Sequence, residues 1–126
     1  MKAIIVDDEA RARRVLRNLL DEYCPQIEIV ADCQNVPDAV LKINQLEPDV
    51  VFCDIEMPDY SGFELLSFFK NISFEIIFVT AFSDYAIRAF EVSAVDYLLK
   101  PVEIDKLEKS IQRLEKRLEK DSMQER

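Results

Sequence analysis

The chain has 126 residues, the length of one domain. It carries 25 acidic against 16 basic residues and no histidine, a net charge of −9 that argues against direct DNA binding by this segment. A single glycine, Gly62, excludes a dinucleotide fingerprint or a phosphate-binding loop, and no apolar run approaches the roughly 20 residues that a membrane helix needs.

In chain order, the apolar run Lys2–Val6 reads as a first strand. It meets acidic residues at once, too early for a signal peptide. A helix is expected over 9–23, where Ala12, Val15, Leu16, Leu19, Leu20 and Tyr23 fall at the i, i+3, i+4 spacing of one buried stripe, and Pro25 stops it. Residues 27–31 alternate apolar and polar, as a half-exposed strand does. A second helix over 37–46 turns Ala39, Val40, Ile43 and Leu46 inward. Val50–Cys53 is apolar throughout, as expected of a strand covered on both faces. Residues 57–60 form a loop. Ser61, with Glu64 three residues on, is a capping box that opens a third helix over 62–69. A fourth strand over 75–79, a short fourth helix over 84–90 and a fifth strand, Asp96–Leu99, follow. Pro101 is expected at the first position of a fifth helix. Five such alternations imply an α/β domain, a doubly wound parallel sheet of five strands with five helices on its two faces. The second strand carries no chemical group at its end and belongs at an edge, which gives the flavodoxin-like order 2-1-3-4-5. Cys24, Cys33 and Cys53 are odd in number and lack metal spacing, so they read as free thiols of a cytoplasmic protein.

The other four strands each end on chemistry. Asp7 and Asp8 follow the first, Asp54 the third, Thr80 the fourth and Lys100 the fifth. Parallel strands bring all five groups to one sheet edge, where open sheets hold their ligands. Three clustered carboxylates repel, so one holds a proton tightly unless a cation lies between them. Oxygen donors without histidine suit a hard ion such as Mg²⁺. A carboxylate can attack phosphorus to give an aspartyl phosphate, and phosphoryl transfer needs mainly positioning and charge neutralisation. Asp54, ending the central strand, is the nucleophile in this reading. Asp7 and Asp8 are metal ligands, and Lys100 and Thr80 meet phosphate oxygens. Each signal alone has a plainer explanation; acids before a helix, for one, simply cap it. Four segments ending this way together do not.

The order Asp7-Asp8, Asp54, Thr80 and Lys100-Pro101, each after an apolar run, resembles the receiver domain of two-component response regulators across residues 1–113. The resemblance implies that Asp54 is the phosphoacceptor of a sensor histidine kinase. It implies Mg²⁺ (or Mn²⁺) bound by Asp8 directly, by Asp7 mainly through water, and by Asp54 and the backbone carbonyl of Glu56. Thr80 then looks like the switch hydroxyl, Tyr97 like the switch aromatic and Lys100 like the phosphate-binding lysine, with a cis bond before Pro101. Glu56 and Phe82 occupy positions that influence hydrolysis in that family by ordering or excluding water. The arginines of the first helix, Arg11, Arg13, Arg14 and Arg17, form either a solvated face or, as the resemblance implies, the surface where such domains meet the kinase. Residues 85–92 and 94–101 are similar to receivers of the LytR/AlgR type, whose output is a C-terminal LytTR DNA-binding domain. That likeness implies transcription control, with the fourth helix, fifth strand and fifth helix as the responding face and as the face of a homodimer.

Along the fifth helix, Ile104, Leu107, Ile111, Leu114 and Leu118 keep 3-4-3-4 spacing. Leu107 and Ile111 are expected on the sheet. Leu114 and Leu118 are expected beyond the domain, in an extension over 114–126 that links to an output domain. Like-charged i, i+4 pairs such as Lys109/Arg113 and Glu115/Glu119 should fray it unless a partner helix covers the leucines as a short coiled-coil stem. Three rival readings fit parts of the pattern. One is a stand-alone receiver acting through protein contacts. Another is a Mg²⁺-dependent aspartyl phosphatase, which wants aspartate where Glu56 stands and a cap that the length leaves no room for. The last is a flavodoxin, which lacks here a hydroxyl-rich phosphate loop after the first strand.

Overall fold

The computed structural model describes residues 1–124. Ten elements alternate strictly: β1 (Lys2–Val6), α1 (Ala10–Tyr23), β2 (Glu28–Cys33), α2 (Val36–Leu46), β3 (Val50–Cys53), α3 (Gly62–Ser67), β4 (Glu75–Thr80), α4 (Ala86–Glu91), β5 (Asp96–Leu99) and α5 (Ile104–Gln124). Every strand pair is parallel, and the order is β2-β1-β3-β4-β5, the expected flavodoxin-like topology.

The period-2 alternation of the strands splits the core in two. Ala3, Ile5, Val50, Phe52, Ile77 and Val79 face α1 and α5, against Leu16, Leu20, Leu107, Ile111 and Leu114. Ile4, Val6, Val51, Cys53, Ile76 and Phe78 face α2, α3 and α4, against Val36, Ala39, Ile43, Phe63, Leu65 and Ala89. The three cysteines are free and buried. The caps are local. Asn35 accepts the Asp38 N–H at 2.8 Å to open α2, and Ser61 and Glu64 form the expected reciprocal box at α3. Among the described residues, no helix is long and apolar enough to cross a membrane.

Several boundaries differ from the sequence reading. β2 runs on to Cys33, because its last residues still pair with Ile5 and Val6. The Lys100–Pro101 bond is cis, but α5 begins at Ile104, so Pro101 precedes the helix instead of opening it. Val15 keeps the helical spacing of the α1 stripe yet is half exposed, because it sits on the flank of that stripe.

The largest correction concerns the end of α5. Leu114 is 0% exposed and packs in the same cluster as Leu20, Cys24 and Ile27, with Leu118 partly buried against it. Leu114 is therefore part of this domain's own core, as are Leu107 and Ile111, and no partner helix is needed to cover it. Two of the like-charged residues, Arg113 and Arg117, find partners elsewhere in the chain. Arg113 donates to Asp96 at 2.6 Å, and Arg117 donates to Glu75 at 3.1 Å and to the Ser93 carbonyl at 2.6 Å. The helix continues through residue 113 without a break. Residues 125 and 126 of the expected 114–126 extension lie outside the described residues.

Candidate functional site

The sheet edge gathers the expected groups. Asp7 follows β1 and Asp54 follows β3, both buried, while Asp8 is exposed at the rim. One carboxylate oxygen from each of the three lies within 4.8 Å of the others. Thr80 ends β4, fully buried. Lys100 follows β5 and bridges two of the acids, its Nζ 2.7 Å from Asp7 Oδ2 and 3.1 Å from Asp54 Oδ2. Asp54 is also held by its own strand end, since Oδ1 accepts the Ile55 N–H at 2.7 Å.

The electrostatics follow from this crowding. Burial raises the pKa of Asp54; Lys100 opposes the rise without cancelling it, and Asp7 adds to it. For Lys100, burial alone would lower the pKa. The bond from Asp7 and the charge of Asp54 outweigh that, and the net direction is upward. The ammonium thus stays charged between two acids. An all-oxygen cluster of three carboxylates around one edge fits a hard divalent cation, which would bring the charge that the single lysine leaves uncompensated.

Beside this edge the switch candidates are linked through one residue. The Phe82 N–H donates to Thr80 Oγ1 at 3.4 Å, and the Tyr97 hydroxyl donates to the Phe82 carbonyl. Tyr97 is partly buried against the α2–α4 side of the core, and burial raises its pKa. Glu56 is exposed, and its carboxylate accepts from the Tyr85 hydroxyl at 3.1 Å. Its side chain is therefore committed to the start of α4. Leu107, Ile111 and Leu114 are in the core and not at this site.

Sequence reasoning missed the part played by Gly62. Its N–H donates to the Ile55 carbonyl at 2.9 Å, and a Cβ there would stand 2.3 Å from the Asp54 carbonyl oxygen. Only a residue without a side chain lets α3 start this close to the end of the strand that carries Asp54. The signal available was that the chain's one glycine follows Asp54 by eight residues.

A groove of about 380 Å³ runs from Asp54 and Lys100 between α1 and the β5–α5 connection, lined by Ala12, Val15, Leu16, Leu19, Pro101 and Val102. On the opposite side, Ile87 (77%) and Phe90 (84%) of α4 are among the most exposed apolar side chains, with Leu99 of β5 nearby in sequence to the site lysine.

A family model described as the response regulator receiver domain matches residues 3–112. An uncharacterized response regulatory protein of Vibrio cholerae is 50% identical over 115 residues, covering 90% of this chain and 48% of its own. The transcriptional regulatory protein BtsR of Salmonella typhimurium is 48% identical over 115 residues, covering 90% and 48%. The chain thus spans about half the length of these curated relatives. Among solved structures, the response regulatory domain of the protein mrkE from Klebsiella pneumoniae matches with a TM-score of 0.85 at 32% identity, over 95% of this chain and 99% of that one.

Proposed function

This chain belongs to the response regulator receiver domain family, and from that membership we propose that Asp54 accepts a phosphoryl group from a sensor histidine kinase. The observation that carries the assignment is a buried carboxylate at the end of the central strand, touched by Lys100 and facing two further acids. An Asp54 oxygen attacks the phosphorus of a phosphohistidine. The new P–O bond forms as the P–N bond breaks, and the donor imidazole leaves with a proton. Lys100 is placed to exchange its bond to Asp54 for one to a phosphoryl oxygen. Asp8 and Asp54, with Asp7 and the Glu56 carbonyl in support, would hold Mg²⁺, which would neutralise charge on the phosphoryl oxygens. The apolar groove beside α1, with Arg11 on its wall, forms the surface offered to the donor.

The response is a shift between two packings. Thr80 donates its hydroxyl to the phosphoryl group, the Phe82 N–H loses its acceptor, and Tyr97, bonded to the Phe82 carbonyl, repacks. The face of α4, β5 and α5 then changes, and its exposed Ile87 and Phe90 are offered to a second copy or an output domain. The half-length match to transcriptional regulators supports an output in gene regulation, and the likeness of residues 85–101 to LytR/AlgR receivers supports a LytTR type. Intact mass after incubation with Mg²⁺ and acetyl phosphate tests the core of this reading. One phosphoryl adduct is expected on the parent, none on Asp54→Asn and none in chelator. An adduct that persists on Asp54→Asn would refute the acceptor assignment.

A further inference from the structure

We propose that Arg13 is a positioning residue for the metal-binding turn, fixing the peptide between Asp7 and Asp8 so that Asp8 is held toward Asp54. The inference rests on the reading of the acidic cluster as a Mg²⁺ site. Val6 is the last rung of β1; its carbonyl accepts the Asp54 N–H at 2.9 Å. The Asp7 N–H still finds the Cys33 carbonyl at 3.0 Å, but the Asp7 carbonyl lies beyond the ladder. Arg13, one helical turn into α1, donates Nη1 to that carbonyl at 2.7 Å. The two carboxylate oxygens of Asp7 are also taken, Oδ1 by the Glu9 N–H at 2.9 Å and Oδ2 by Lys100 at 2.7 Å.

Asp8 is different. It is exposed, and its carboxylate makes no hydrogen bond among the described residues. Its direction is set by the backbone on either side. The N-cap residue Glu9 supplies no side-chain cap to α1; Asp7 Oδ1 ties the turn to the Glu9 N–H, and the bond from Arg13 ties its carbonyl to the body of the helix. The carbonyl it grips belongs to the peptide that carries Asp8. Rotation of that peptide would swing the Asp8 carboxylate away from the cluster.

The charge of Arg13 works in the opposite sense from its grip. A cation beside the cluster repels an incoming metal ion, so charge alone makes Mg²⁺ bind more tightly when Arg13 is removed. Positioning makes it bind more weakly. Removal of groups that orient metal ligands typically costs about tenfold or more in affinity. Arg17, on the same helix but paired with Asp32 at 3.6 Å, is the matched control.

Mg²⁺ titration calorimetry of the full chain decides, with Mn²⁺ electron paramagnetic resonance as a second readout. Arg13→Met is expected to weaken binding about tenfold, Arg13→Lys to recover part of the loss, and Arg17→Met to bind as the parent does. The Mg²⁺ concentration for half-maximal phosphorylation by acetyl phosphate should rise in the same ratio, while the rate at saturating Mg²⁺ stays near that of the parent. Binding by Arg13→Met equal to or tighter than the parent's, or an equal loss in Arg17→Met, would overturn the proposal. If Arg13→Met melts early, Arg13→Lys carries the comparison, and parent-like affinity there combined with loss of the 2.7 Å contact in its structure would also overturn it. A parent that binds no Mg²⁺ would overturn the site reading itself, and this inference with it.

Discussion

Gly62→Ala is the substitution whose consequence can be worked most directly from distances. The new Cβ would stand 2.3 Å from the Asp54 carbonyl oxygen, 3.2 Å from its carbon and 3.1 Å from Cys53 Sγ. Ordinary contact begins near 3.4 Å, so the oxygen is about 1 Å too close. The sulfur can rotate, but the carbonyl cannot move without moving the peptide that follows the acceptor. Gly62 has no positive φ, so the effect is steric and not one of backbone strain. Overpacking of this kind costs about 1–3 kcal/mol; Gly62 is the first helical residue, so alanine's interior advantage of about 1 kcal/mol is returned only in small part. The net loss is about 1–2 kcal/mol, which for a domain of this size lowers Tm by about 4–8 °C. Because relief shifts the strand end that carries Asp54, phosphorylation by acetyl phosphate should slow as well. Circular dichroism melting in chelator and a phosphorylation time course by intact mass read the two effects. A Tm within about 1 °C of the parent, with an unchanged time course, would refute the close approach.

Leu114→Ala should destabilise by about 2–5 kcal/mol in denaturant unfolding, as for a core leucine. A loss below about 0.5 kcal/mol would place that leucine outside the fold. Asp54→Asn should raise stability in chelator at neutral pH, because burial lifts the Asp54 pKa in the fold. A carboxyl raised in this way favours folding below its unfolded pKa of about 3.9, and that contribution is lost as pH rises through the folded value. The gain over the parent should therefore shrink toward zero as pH falls to about 4; a gain that grows on acidification would reverse the sign. Phe82→Ala should alter the decay of the aspartyl phosphate more than the yield of phosphorylation, and equal decay in mutant and parent would end that idea.

The site was legible because a parallel sheet turns a sequence rule into a spatial one. Each chemical group follows an apolar run, and parallel runs end on one edge. Asp7, Asp54, Thr80 and Lys100 needed no further information to be brought together. The end of α5 was misread for the converse reason. Like charges four residues apart are visible locally, whereas Asp96 and Glu75, which bind Arg113 and Arg117, lie 17 and 42 positions away. Periodicity also gives a face and not a depth. Val15 shares its stripe with Leu16 and Leu20, yet it is half exposed while they are buried. The close approach at Gly62 leaves no periodic trace at all.

The arrangement of charge at the sheet edge links ligation to conformation. Asp54 is buried where its ionised form is disfavoured, and one lysine is shared between it and Asp7. Whatever brings positive charge to this edge, or takes up the Asp54 carboxylate in a covalent bond, relieves that burden and stabilises the state that binds it. In the proposed switch Lys100 exchanges its bond to Asp54 for one to a phosphoryl oxygen, which changes how its ammonium is shared with Asp7. In the same proposal the Thr80 side chain rotates toward the phosphoryl group, carrying with it the oxygen that now accepts the Phe82 N–H. Phe82 is bonded through its carbonyl to Tyr97. A change at Thr80 therefore reaches Tyr97 through a single backbone residue. A ligand can shift a two-state element only by its differential affinity for the two states, and in the proposed switch that difference lies in the bonds that Lys100 and Thr80 exchange.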